Sequence, residues 1–203
     1  MNDTQVDFNP TVAGTGTTLS GSEIAERVKA RLPEAVVAVE TDRGQTIIEV
    51  KRESLLDVCR FLNEDPELFF NYLSDVTNVD NLKRPGKAMR YESIAQLYSI
   101  PHNHRIGVRV RMPEDDPTCP SVAGIWRGAD WHERESYDLM GIVYEGHPDL
   151  RRIMMPDEWI GHPLRKDHPL GGVKSFFYKQ DTDPHHGEPP GYVPRIRVQE
   201  GDI

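Results

Sequence analysis

The sequence has few of the groups that cofactor chemistry needs. It holds two cysteines, Cys59 and Cys119, in 203 residues. An all-cysteine iron–sulfur cluster takes four thiolates and Cys-rich structural zinc nearly as many, so both are excluded. A Gly-Lys-Ser/Thr phosphate loop is missing. Gly14-Thr-Gly16-Thr-Thr18 offers two glycines of a dinucleotide loop, but it lacks the third and follows polar residues instead of a strand, so it reads as a flexible linker. Long apolar runs are also lacking. The longest, Ala35 to Val39, is far short of the roughly 20 residues that span a bilayer. The first residues carry neither a basic region nor an apolar stretch, which argues against a signal or transit peptide. The expectation is a soluble protein made in a reducing compartment, reaching a membrane through a partner. Basic charge is in deficit, 24 Lys and Arg against 33 Asp and Glu, which argues against nucleic acid as a ligand.

What is present reads as one domain with extensions. Residues 1–19, rich in Thr, Gly and Asn, are read as a disordered N-terminal arm. Ser20-Gly-Ser-Glu23 fits a capping box, and Ile24, Val28 and Leu32 follow at helical spacing up to Pro33. Ala35–Glu40 and Thr46–Val50 are strand-like, joined by a hairpin turn at Thr41-Asp-Arg-Gly44. Ser54 opens a second helix whose Leu55, Val58, Cys59 and Leu62 share one face, and Pro66 stops it. Three more strands are predicted at Phe69–Val79, Met89–Ile100 and Arg105–Met112. In the last, Ile106, Val108 and Val110 alternate with Arg105, Arg109 and Arg111. Val122, Ile125, Trp126 and Ala129 give another helical stripe, and Asp130 with Glu133 makes a cap signature for a further helix. Grouped strands without strict βα alternation predict an α+β, two-layer sandwich: a mixed five-stranded sheet with helices on one face, over residues 20–168. From 169 to 203, prolines and glycines predict an extended tail.

Residues 130–170 stand apart. Charge is dense there, yet Trp131, Tyr137, Leu139, Met140, Ile142, Val143 and Tyr144 are threaded through it. Interleaved charge and apolar bulk point to a surface built to meet another protein. A metal or acid–base site is the competing reading. His132, Glu133, Glu135 and Asp138 are its candidates: carboxylate and imidazole three apart on one helix could share a metal as in di-iron bundles, and His147, His162 and His168 could add ligands from loops. No second helical pair matches them. Glu133, Arg134 and Glu135 are consecutive and step about 100° each around a helix, so they cannot all lie on one solvent face. At least one is expected to point into protein and need a partner there. A pairing of Arg134 with Asp138 at i, i+4 is also open. His102 and His104, in a loop between strands, and His185-His186, in the tail, support no specific assignment.

Glu133-Arg-Glu, Asp138-Leu-Met, His147 and Arg151-Arg-Ile-Met154 recur at a spacing that resembles the signature of a known family. Trp131, Pro120-Ser121 leading to Trp126, and Gly161-His-Pro-Leu-Arg-Lys-Asp-His-Pro169 resemble it too. The family is that of the C subunit of the proton-pumping NADH:quinone oxidoreductases, respiratory complex I. The likeness covers residues 120 to 170. It does not extend past Gly172.

The resemblance implies a peripheral-arm subunit on the cytoplasmic face of a bacterial plasma membrane, or the matrix side of a mitochondrion. Such a subunit has no active site and no cofactor of its own; FMN, iron–sulfur clusters and quinone sit on partner subunits. It implies packing against the quinone-site subunit, the D subunit of such complexes. Glu133, Arg134, Glu135, Asp138 and His147 would then set interface register, and Arg151, Arg152, Arg165, Lys166 and Asp167 would make charge-assisted contacts. Two alternatives stay open. One is a free-standing metal-dependent hydrolase using His132, Glu135 and Asp138; the other is the same subunit in a ferredoxin- or hydrogenase-linked complex.

Overall fold

The computed structural model describes residues 18–82, 84, 89–157 and 159–168. Nearly all of the expected arm and the whole of the expected tail lie outside them. Helix α1 (Gly21–Arg31) starts at the predicted box: Ser20 Oγ accepts from the Glu23 N–H, and the Glu23 carboxylate accepts from the Ser20 N–H at 2.7 Å. Leu19, which the sequence reading left in the arm, packs against the core, and its N–H donates to His104 Nδ1.

Strands β1 (Val36–Asp42) and β2 (Gln45–Val50) form the expected hairpin. Arg43 and Gly44 at its tip have φ of +48° and +79°, the paired left-handed residues of a tight turn that matches strand twist. A 3-10 turn (Arg52–Ser54) leads into α2 (Leu55–Glu64), so Ser54 precedes the helix as expected, although its side chain makes no capping bond. Strands β3 (Tyr72–Asp80), β4 (Tyr91–Ser99) and β5 (His104–Met112) complete a sheet of order β1-β2-β5-β4-β3. The β2–β5 pairing is parallel and the others antiparallel, so the sheet is mixed and five-stranded as expected. Helices α1 and α2 cover one face. Ile24, Val28, Ile48, Val58, Leu62 and Val108 meet there in a continuous apolar layer.

Two expectations fail beyond the sheet. Residues 122–126 form consecutive turns, not a helix. Trp126 Nε1 donates to the Phe70 carbonyl at 2.8 Å, and the Val122 N–H is taken by the Glu133 carboxylate. These bonds fix the segment while its apolar residues still reach the core, so spacing alone could not separate turns from a helix. The helix that follows, α3 (Ala129–Met140), is capped by Gly128, and Asp130 with Glu133 forms no capping box because Glu133 is turned inward. A small second sheet was not foreseen: β6 (Thr118–Pro120) pairs in parallel with β7 (Val143–Glu145). Three residues are too few to show a period. Among the described residues, no helix is long and apolar enough to cross a membrane.

Candidate functional site

Helix α3 lies along β3, and the chain after it returns over its C-terminal half. Glu133 is fully buried. Its carboxylate accepts from Ser121 Oγ at 2.5 Å and from the Val122 N–H at 2.7 Å, which ties α3 to the turn after β6. Burial pushes its pKa up to about 7 against the pull of those two bonds, and Asp130 adds to the rise. The cavity beside it holds about 10 Å³, room for no more than one water. A substrate cannot reach this acid. His147, its ring enclosed, accepts from the Asp149 N–H at Nδ1, so Nε2 carries the proton and points at the Asp130 carbonyl 3.2 Å away.

Asp138 is the hub of the return. It is fully buried and collects three successive backbone N–H groups, from Ile153, Met154 and Met155 at 3.0, 2.7 and 2.8 Å. Arg152 donates to its other oxygen at 2.6 Å and to the carbonyls of Trp159 and Gly161. Burial would raise this carboxyl, but the three N–H groups and the guanidinium outweigh it and hold the pKa below the usual carboxylate range. Arg134 pairs with neither Glu133 nor Asp138. Its guanidinium donates to the carbonyls of Arg151 and Arg152 and lies over the Trp131 ring. The i, i+4 pairing with Asp138 is thus replaced: Arg152 has taken that carboxylate.

At the end of α3, Gly141 has φ +72°. A Cβ there would collide with both His162 and Arg165. Arg165 donates to the Met140 and Gly141 carbonyls and lies over the Tyr91 ring, capping the helix. His162 Nδ1 donates to the Asp138 carbonyl at 2.9 Å. Its pKa is lowered, chiefly by burial. A second clamp escaped the sequence reading. Arg90 grips Asp80 with two bonds of 3.1 Å, and it also meets Glu114 and Asp167. The Lys166 N–H also donates to Asp80. Asp80 ends β3 and Arg90 precedes β4, with no motif around either and other polar residues along both strands, so no local signal singled out the pair.

The expected interface residues therefore divide. Glu133, Arg134 and Asp138 are buried, which meets the expectation that at least one charge of the triplet points into protein. His147 and Arg165 also serve internal bonds. Glu135, Arg151, Lys166 and Asp167 are exposed. The hydrolase trio is not assembled: His132 faces Asp75 at 3.1 Å, Asp138 is spent on the return, and Glu135 is exposed. Among the described residues, no group of three or more His, Cys, Asp or Glu could hold a metal. The ribbon also leaves apolar side chains outward: Trp131, Met154, Ile160 and Leu164 are each more than half exposed.

This arrangement has known relatives. Residues 48–174 match the profile of the 30-kDa subunit of respiratory-chain NADH dehydrogenase. The chain is 43% identical over 164 residues to the C subunit of NADH-quinone oxidoreductase from Roseiflexus sp. (strain RS-1), covering 80% of this chain and 92% of that one. It is 43% identical over 153 residues to the C subunit from Geotalea uraniireducens (strain Rf4), covering 75% and 90%. Among solved structures, a trypsin-resistant fragment of Nqo5 superposes with a TM-score of 0.55 at 32% identity, covering 65% of this chain and all of the fragment. A chain of an archaeal membrane-bound sulfane sulfur reductase shares the fold, with a TM-score of 0.57 at 23% identity over 75% of this chain and 87% of that one. The chain belongs to the family of the 30-kDa subunit of respiratory NADH dehydrogenase, the C-subunit family of the NADH-quinone oxidoreductases.

Proposed function

We propose that this chain is a non-catalytic peripheral-arm subunit of a proton-translocating NADH:quinone oxidoreductase and that it scaffolds the D subunit, which houses the quinone site. In this reading FMN, the iron–sulfur clusters and quinone belong to partner subunits. The chain meets the membrane through the complex, on the cytoplasmic side in a bacterium. One observation supports the scaffold role above others: the buried charges Glu133, Arg134 and Asp138 are consumed within the chain, while Trp131 on α3 and Met154, Ile160 and Leu164 on the return stand outward. Trp is one of the residue types that dominate binding hot spots, and Met is enriched at interfaces. Glu135, Arg151, Lys166 and Asp167 supply a polar rim.

The test is assembly. Trp131→Ala is expected to lower the amount of intact complex in membranes, with a loss of about 2 kcal/mol of binding. Turnover per assembled complex stays at the wild-type value, and the isolated chain melts normally. Full assembly with turnover reduced a hundredfold would place chemistry on this ribbon and defeat the reading. The subunits that co-purify also separate an NADH-linked complex from a ferredoxin- or hydrogenase-linked one.

A further inference from the structure

The face of the sheet turned away from α1 and α2 carries a second feature. At Gly107 the outer face has no side chain, and its neighbours in register are Ile47 and Gln96. A Cβ there would stand 3.0 Å from Ile47 Cγ1 and 3.4 Å from Gln96 Oε1. The gap opens into a depression of about 700 Å³ bordered by Tyr72, Asp75, Gln96, Tyr98 and Arg105. Tyr72 is 51% exposed. Arg105 is exposed and lies over the Tyr98 ring at 5.3 Å, and the Tyr98 hydroxyl is fixed by Asn103 at 2.7 Å.

Charge distinguishes this face from the ribbon. Asp75, on the border, meets His132 Nδ1 at 3.1 Å. Further along the same face, Arg109 and Arg111 are bound to Glu40, Glu49 and Glu92. Arg105 has no carboxylate partner among the described residues, and Arg43 on the rim has just the exposed Asp42, at 4.0 Å. The depression therefore presents guanidinium groups without strong partners, one of them stacked on an aromatic ring, on a chain of net charge −9. Stacked arginine and tyrosine at a concave spot are the side chains that interfaces favour, and guanidinium selects carboxylate.

We propose that this depression is a second protein interface, one that takes a carboxylate-bearing segment of another subunit. It rests on the reading of the chain as a subunit and adds to it: the ribbon and the outer sheet face would hold two different partner surfaces, with this chain as the spacer between them.

The experiment compares hydroxyl-radical labelling of Tyr72 in the membrane-extracted complex and in the isolated full chain, and adds two variants. Tyr72 is expected to label about fivefold more slowly in the complex. Arg105→Glu is expected to cut complex abundance about tenfold while the isolated chain melts as wild type, and Arg105→Lys is expected to keep most assembly. Tyr72 labelled equally in an intact complex, or Arg105→Glu assembling normally, overturns this inference alone. Tyr72 already protected in the isolated chain and freed by removing residues 1–17 would give the depression to the chain's own N-terminal residues and overturn a partner there. If the unaltered chain co-purifies with no oxidoreductase subunit, the subunit reading falls, and this one with it.

Discussion

Residues 20–112 and residues 129–168 are held by opposite means. The first region is an apolar layer in which Ile24, Val28, Ile48, Val58, Leu62 and Phe70 have no exposure at all. The second has few such residues after α3. Its path is dictated by Asp138 collecting N–H groups, by Arg152, Arg134 and Arg165 donating to carbonyls, and by Arg90 holding Asp80 and Asp167. Apolar burial is strong and non-directional, so it sets a layer and tolerates exchange of shapes. Hydrogen bonds to charged groups are directional, so they can hold an irregular backbone in one path. The consequence is functional. A segment held by polar clamps can turn its aliphatic side chains outward, as Met154, Ile160 and Leu164 are turned.

The sharpest way to break this comparison sets one substitution from each region side by side. Phe70→Ala removes a fully buried ring from the layer and is expected to cost about 3–5 kcal/mol, read as a lower denaturant midpoint for the whole chain. Asp138→Ala leaves three N–H groups and the Arg152 guanidinium without their acceptor, a loss on the order of 3 kcal/mol. That loss should be local. Amides of Ile153, Met154 and Met155 should exchange faster and trypsin should cut at Arg151 and Arg152, while the global midpoint moves far less than in Phe70→Ala. Equal global shifts would mean that the two regions unfold as one and differ in chemistry alone.

Proton linkage sharpens the comparison further, because the two kinds of buried acid act with opposite sign. Asp80 and Asp138 have lowered pKa values in the fold, so their clamps contribute stability above the ordinary carboxylate range and lose it as pH falls through their folded pKa values. Glu133 is raised from 4.5 to about 7. Its protonated form is the one the fold favours, so its contribution is fully present below pH 4.5 and is lost as pH rises through 7. The wild-type chain should lose on the order of 3 kcal/mol over that span from this group, an upper value for an acid that keeps two hydrogen bonds. Glu133→Gln should flatten the decline without affecting the acid-side loosening of residues 153–155. A decline of the same size in Glu133→Gln would show that another group carries it.

Much of the first region could be read in advance and little of the second. The Ser20 box, the tip at Arg43-Gly44 and the alternation of Ile106, Val108 and Val110 with arginines are local patterns, and each produced the element expected of it. The order of strands was not readable, since the parallel β2–β5 contact joins residues far apart in the chain. Density of charge located the ribbon, and three consecutive charged residues correctly implied that one must be buried. Partners were beyond reach. Arg134 turned to carbonyls instead of carboxylates, and Asp138 found Arg152 and three backbone groups. Those choices depend on where an irregular segment returns, and nothing local encodes that. The same limit explains residues 122–126, where a helical spacing of apolar side chains was met by two turns pinned from Glu133 and Phe70.

The smallest effect belongs to Arg151, and it isolates what burial adds to the clamps. Arg151 and Arg152 are neighbours with the same guanidinium and each meets an aspartate, at 2.7 Å for Asp149 and 2.6 Å for Asp138. The difference lies in the surroundings. Arg151 and Asp149 are both largely exposed, so water competes for both charges, salt screens them, and ordering two long side chains consumes what attraction remains. Arg152 has a fully buried partner and two further carbonyls to bind. Arg151→Ala is therefore expected to leave the denaturant midpoint of the isolated chain unchanged and the amides of Ile153 to Met155 as protected as before. Arg152→Ala should expose those same amides. If Arg151→Ala loosened them as much as Arg152→Ala, the return would be held by net positive charge near α3 and not by the particular bonds to Asp138, and the contrast between buried clamp and surface pair would lose its basis.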